Sequence, residues 1–235
     1  MKRRKLLQFA ALIPFIGIAN KVLAQDKKQI YLTIDDGPNE YNPLILENLK
    51  TNKAISYMLG GLINTNEGFY NACKTLENGN IIGNHSYSHP AFTRISYNRA
   101  VSEIERTEEL IEKVYEKVGM KRLRKFFRFP YGSVKGSAES YLEDKGFEIQ
   151  HWDTDTLDWR YYSRNSLSLE RILRNCARAD NNDIVLIHER GMTAKKLIPF
   201  FVEEYNLKIP DDAQEYKIDP TVNLRLQMCL IEKEK

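Results

Sequence analysis

Short β-branched and aromatic runs alternate with amphipathic stretches along most of this 235-residue chain, and that alternation restricts the fold more than any other feature. Residues 30–34 read as a buried strand stopped by Gly37-Pro38. Asn42 and Pro43 read as the N-cap and first residue of a helix with Ile45, Leu46 and Leu49 on one face. Residues 54–59 predict a second strand closed by Gly60-Gly61, and a helix over 68–77 leads to a third strand around Ile81-Ile82. From Ser96, Val101, Ile104, Ile111 and Val114 mark the longest amphipathic helix. Further strands are predicted over 125–129, 147–152 and 183–187, with helices over 138–145, 169–179 and 195–205. In the tail beyond Pro210, the alternation of Leu224, Leu226, Met228 and Leu230 predicts one more strand. Strands alternating with helices, without repeats or low-complexity linkers, predict one α/β domain on a parallel sheet. The spacing favours a closed or nearly closed (β/α) barrel, and the length suffices for one large core.

Residues 1–24 read as a signal peptide: a basic start, an apolar run over 6–19, and Val22-Leu23-Ala24 as a small-residue cleavage site. The apolar run contains Gln8 and Pro14 and is too short to span a bilayer comfortably, so a retained anchor is the weaker alternative. Arg3-Arg4 also resembles the start of a twin-arginine export signal. The expected location is therefore periplasmic or secreted, with residues 25–235 as the working domain and 211–235 as a C-terminal extension. The formal net charge of +3 includes Lys2, Arg3, Arg4, Lys5 and Lys21, and no acid precedes Asp26. Taking those five from +3 leaves −2 for residues 25–235, which is no basic footprint for nucleic acid. Cys73, Cys176 and Cys229 are odd in number and lack metal-ligand spacing; they read first as buried thiols, with one disulfide in an oxidising compartment as the alternative.

The polar residues that carry chemistry fall just beyond the predicted strands, where a barrel gathers its functional groups. Thr33-Ile34-Asp35-Asp36-Gly37-Pro38 puts two adjacent carboxylates at the mouth of a buried strand, which is costly unless cations compensate them. Side chains alternate across a strand, so both carboxylates can face one site only where the chain already turns out of it. Taken alone, Asp-Asp-Gly-Pro is an ordinary hydrophilic turn. His85 and His89, four apart in His85-Ser86-Tyr87-Ser88-His89-Pro90, share one face if the segment forms a helical turn, which Pro90 keeps short. Two imidazoles and one carboxylate leave open positions on a divalent metal, as catalytic rather than structural sites do. Zn²⁺ suits that donor set best, and Co²⁺, Ni²⁺ or Fe²⁺ could occupy it.

These segments, with Arg128-Phe129-Pro130-Tyr131-Gly132, Asp155-Thr156-Leu157-Asp158-Trp159 and Leu186-Ile187-His188, resemble in order the five motifs of the polysaccharide deacetylases. The resemblance, to the NodB-homology or carbohydrate esterase family 4 domain, covers roughly residues 28–210. It implies a distorted (β/α) barrel and a metal-dependent hydrolase that removes N-acetyl groups from N-acetylglucosamine-containing glycans. It implies Asp36, His85 and His89 as metal ligands, and Asp35 as general base toward the attacking water with Arg128 pairing it. The backbone N–H of Tyr131 would stabilise the oxyanion, and His188, oriented by Asp158, would protonate the leaving amine. Trp159 and Leu186 would line the pocket for the acetyl methyl group. His151 and Asp153 receive no chemical role and read as structural. The chain departs from the family pattern at Ile34 for Phe, Tyr87 for Thr, Phe129 for a second Pro, and Glu189 for Asp. None of these removes a chemical group, so they bear on the substrate. The competing expectations are another acyl substrate, such as an O-acetyl ester or a non-sugar amide, and a non-catalytic glycan-binding module.

Overall fold

The computed structural model describes residues 27–216. The first half of the fold comprises β1 (Gln29–Gly37), α1 (Asn42–Leu49), β2 (Ile55–Met58), α2 (Gly60–Ile63), α3 (Asn66–Glu77), β3 (Ile81–Asn84) and α4 (Tyr97–Val118). The second comprises β4 (Met120–Arg122), β5 (Lys125–Phe127), α5 (Gly136–Asp144), β6 (Phe147–Ile149), β7 (Thr154–Asp155) and α6 (Leu169–Cys176). It closes with β8 (Ile184–His188), α7 (Ile198–Glu204), β9 (Asn206–Leu207) and β10 (Gln214–Tyr216). Among the described residues the main sheet has eight strands in the order β6-β5-β3-β2-β1-β8-β7, with β9 added to β1. Its pairings are parallel. The outermost strands, β6 and β7, are consecutive in the chain, so the sheet curls back on itself and stays open between them. The expected barrel is thus a curled half-barrel with a gap, wrapped by helices.

Alternation along β1 explains how a core and a site share one strand. Ile30, Leu32 and Ile34 are buried outward against α1, α6 and α7. Thr33 and Asp35 are buried on the opposite face, inside the curl. Outside β2 and β3, Met58 and Ile82 pack against α3 and α4 through Leu76, Ile111 and Val114. Outside β5, Phe127 and Phe129 form an aromatic cluster with Phe92, whose ring stands 5.8 and 5.1 Å from theirs. Inside, Ile55, Tyr57, Ile81 and Phe126 pack with Ala213 from the C-terminal segment.

The long helix is α4, capped by the Ser96 hydroxyl on the Arg99 N–H and ended by Gly119 in the left-handed conformation. Three local expectations change. Asn42 does not cap α1; its buried side chain instead donates to the Glu189 carboxylate, and Tyr41 stands at the N-cap position. Gly60-Gly61 begins a helical turn rather than ending a strand, and a Cβ at Gly60 would crowd Thr107 of α4 and Tyr87. The helix predicted over 195–205 opens as a π-helical turn, Thr193–Leu197, before α7. The strands β4, β7, β9 and β10 were not predicted; each has two or three residues, too short for a periodic pattern to show. At the start of the expected C-terminal extension, β10 pairs antiparallel with β4. Cys73 and Cys176 are free and buried. The expected signal peptide over 1–24, the expected strand over 224–230 and Cys229 lie outside the described residues. Among the described residues, no helix is long and apolar enough to cross a membrane.

Candidate active site

The C-terminal strand ends meet at one rim. Asp35 is directly opposite His188 across the β1–β8 pairing, and Asn84 opposite Phe127, which brings His85 beside Arg128. The two carboxylates escape strict alternation through an irregularity in β1: the register shifts between Asp35 and Gly37, and Asp36 adopts φ 70°. Asp35 is 3 % exposed, and Asp36 opens from the same strand end toward the same site. Glu189 braces this turn. It is 1 % exposed, and its carboxylate accepts from the Asn39 N–H and from Asn42 Nδ2. A Cβ at Gly37 would overlap Glu189 Oε2, so the turn needs glycine there. Burial raises the Glu189 carboxyl to about 7.

The segment carrying His85 and His89 is not helical. Ser86 and His89 have φ 69° and 59°, and the loop is tied down by Glu103 of α4. That carboxylate accepts from the N–H groups of Tyr87 and Ser88, at 3.1 and 2.7 Å, and from the Ser88 hydroxyl. The imidazoles nonetheless converge, with ring centroids 5.0 Å apart. His85 Nδ1 lies 2.8 Å from the Arg128 carbonyl, which can only accept, so this nitrogen carries the proton and Nε2 presents its lone pair. His85 Nε2 stands 3.7 Å and His89 Nε2 3.3 Å from Asp36 Oδ1. Desolvation and the neighbouring His85 push His89 down to about 4, leaving it neutral near pH 7. Asp36, His85 and His89 each offer one ligand atom, all within 4.8 Å of one another. Asp36 Oδ1 is buried and has no hydrogen-bond partner among the described residues. A buried, orphaned carboxylate oxygen facing two imidazole lone pairs is the donor set a divalent cation satisfies.

Arg128, 1 % exposed, holds the neighbouring carboxylate. Its Nη1 donates to Asp35 Oδ1 at 2.9 Å and to the Thr33 hydroxyl at 2.7 Å, and the remaining nitrogens donate to the carbonyls of Gln150 and His151. The guanidinium stacks 4.2 Å from the Tyr57 ring centre, so its plane as well as its donors is constrained. His151 thus acts through its backbone, and Asp153 accepts from the Ile184 N–H; both are structural in this geometry.

On the far side of the cleft, His188 Nδ1 lies 2.8 Å from Asp158 Oδ1. Asp158 Oδ2 accepts from the His188 N–H and the Thr193 hydroxyl. Burial alone would lower the His188 imidazole, but the hydrogen bond and charge of Asp158 prevail and raise it to about 9. The cleft between these groups encloses about 540 Å³. Leu186, Trp159 and Tyr131 line it. Tyr131 sits at φ 58° with its exposed ring edge-on to His89, 4.4 Å between centroids, and Trp159 is half exposed.

Every residue given a chemical role in the sequence gathers at this rim. Others were missed. Trp152, Asp155 and Arg190 also line the cleft, and Arg190 Nη2 donates to Asp36 Oδ2 at 3.0 Å. Burial raises the Asp155 carboxyl above its usual range. Glu103 and Glu189 act from beneath. A charged residue on an otherwise amphipathic helix, or one next to a histidine, carries no pattern that separates it from a solvated neighbour.

The polysaccharide deacetylase family profile matches residues 23–149. A peptidoglycan-N-acetylglucosamine deacetylase of Bacillus cereus is 33% identical over 147 residues, 61% of this chain and 50% of the relative. The chain thus spans about half the length of that relative. A family 4 carbohydrate esterase from Streptomyces lividans, solved in complex with acetate, superposes with TM-score 0.65 at 26% identity, covering 75% of this chain and 87% of the other. A CE4 family pseudoenzyme from Bacillus anthracis superposes equally well, TM-score 0.65 at 27% identity, covering 77% of this chain and 63% of that one. Sequence profile, half-barrel and rim agree: the chain belongs to the polysaccharide deacetylase family.

Proposed function

We propose that this chain is a metal-dependent hydrolase that removes N-acetyl groups from N-acetylglucosamine-containing polysaccharide. The observation that carries the reading is the buried, partnerless Oδ1 of Asp36 facing His85 and His89, with a fixed base and a fixed acid on either side. Amide hydrolysis needs an activated water, stabilisation of developing negative charge, and a proton for a poor leaving group. Asp36, His85 and His89 would hold the cation, of which Zn²⁺ fits the nitrogen–oxygen donor set best. The cation supplies positive charge that acidifies water and polarises an acyl oxygen.

The chain's own groups divide the remaining work. Asp35, kept in place by the Arg128 guanidinium, is the base that receives the proton of the attacking water. The acid has one free nitrogen. The proton on His188 Nδ1 is committed to Asp158, so Nε2 delivers its proton to the departing amine. The Tyr131 N–H is assigned to the oxyanion, and Leu186 with Trp159 shapes the wall for a small acyl group. Residues 1–24 are assigned as an export signal, so the enzyme works in the periplasm or outside the cell with its glycan substrate.

The pseudoenzyme relative supports a second reading, a glycan-binding module without turnover. Acetate release from chitooligosaccharide, peptidoglycan, poly-N-acetylglucosamine and acetylxylan, with and without chelator, separates the two. Chelator-sensitive acetate release from the N-acetylated glycans is expected. Release from acetylxylan alone would make the protein an O-acetyl esterase, and binding without release in the presence of added zinc would overturn catalysis.

A further inference from the structure

The turn that carries Asp158 and Trp159 has a second side. Trp159 lines the acyl cleft, while its neighbour Arg160 lines a separate cleft of about 510 Å³. Three more arginines converge there, Arg171 and Arg174 from α6 and Arg178 just beyond it, over a floor of Leu157 and Leu167. Among the described residues, no carboxylate lines this cleft. Arg174 pairs with Glu170 on the exposed helix surface at 3.3 Å, and Arg160 Nη2 donates to the Asn165 carbonyl. Among the described residues, the Arg171 and Arg178 guanidinium groups have neither an ion pair nor a hydrogen bond.

Residues 25–235 carry a net charge of −2, so general basicity does not explain four cations in one cleft. Like charges brought together repel, and the arrangement is relieved when an anion sits among them. Guanidinium forks match phosphate and carboxylate oxygens in geometry as well as charge. The cleft is mechanically joined to the acyl site. Asn175 Nδ2 donates to the Thr156 carbonyl at 3.1 Å, and the Leu167 N–H donates to the Arg160 carbonyl at 3.3 Å, so both clefts share the 156–160 turn.

We infer that this arginine-lined cleft binds phosphate or carboxylate groups carried along the glycan whose acyl group enters the neighbouring site. The inference rests on the deacetylase reading and narrows its substrate to an anionic glycan. Arg171→Gln/Arg178→Gln removes the two unpaired guanidinium groups and leaves the acyl site untouched. On peptidoglycan bearing its covalently attached phosphodiester polymer, KM is expected to rise about tenfold at unchanged kcat. Kinetics on neutral N-acetylchitohexaose should not change. Retention of the effect after acid removal of the phosphodiester polymer would identify stem-peptide carboxylates as the anions; its loss would identify phosphate. Equal changes on the neutral and anionic substrates, or none on either, would overturn the inference. Sedimentation of the same peptidoglycan with Asp35→Asn protein, with and without the arginine substitutions, reads the cleft without turnover. Binding that is insensitive to those arginines defeats the cleft, whereas arginine-sensitive binding by a wild-type protein that releases no acetate defeats only the deacetylase reading. Single-stranded DNA bound as tightly as the glycan at about 0.15 M salt, where the Debye length is about 8 Å, would also overturn it.

Discussion

Replacing Asp158 by Asn tests the acid half of the site, because the structure says how the imidazole should respond. His188 stands at about 9 against an ordinary value of 6.5. Burial opposes that rise, and Asp158 overcomes it, leaving a net preference for the imidazolium of about 3 kcal/mol. An asparagine oxygen can still accept from the His188 N–H and the Thr193 hydroxyl, but its NH₂ then faces Nδ1. Nδ1 becomes an acceptor, burial dominates, and the imidazole falls below 6.5 in its Nε2–H tautomer. Neutral imidazole is a poor acid, so kcat on an N-acetylated glycan should fall about 100- to 10,000-fold near neutral pH. An activated ester such as p-nitrophenyl acetate, whose leaving group needs no proton, should lose far less. The imidazole of the metal-free protein, followed by NMR, should titrate near 9 in the wild type and below 6.5 in the variant. The stability linkage has a definite sign. A raised folded value contributes fully below pH 6.5 and is lost as pH rises through about 9, so wild-type stability declines over that window and the variant's does not. Equal losses on amide and ester, or an unmoved imidazole titration, would refute the assignment of His188 as a proton donor held charged by Asp158.

Asp35→Asn should retain stoichiometric metal yet lose nearly all turnover, whereas His85→Ala should lose the metal itself; elemental analysis alongside acetate release distinguishes them. Gly37→Ala should cost about 1–3 kcal/mol by driving a methyl into the Glu189 carboxylate, and in a thermal-melt double-mutant cycle Gly37→Ala/Glu189→Ala should lose less than the two single changes summed. His89, lowered to about 4 by desolvation, stays neutral in the folded protein while the unfolded chain takes up a proton below 6.5. Metal-free protein should therefore lose stability as pH falls from 6.5 toward 4, and His89→Gln should flatten that slope in denaturant titrations.

The alternation of apolar runs with amphipathic stretches was sufficient for an α/β architecture, because burial on both faces of a parallel strand and on one face of a helix leaves period and length in the sequence. The rim was legible too. Asp35-Asp36, His85, Arg128, Asp158 and His188 each follow such a run, and strand ends are where side chains leave the core. What the sequence could not decide was how neighbours in the chain become neighbours on a face. The two carboxylates reach one site through a register shift at Asp36, and the histidines meet in a loop of left-handed residues tied by Glu103, not on the expected helical turn. The buried supports, Glu103 and Glu189, and the cation Arg190 are set by distant partners. Their roles arise from packing across elements far apart in the chain, which no local periodicity records.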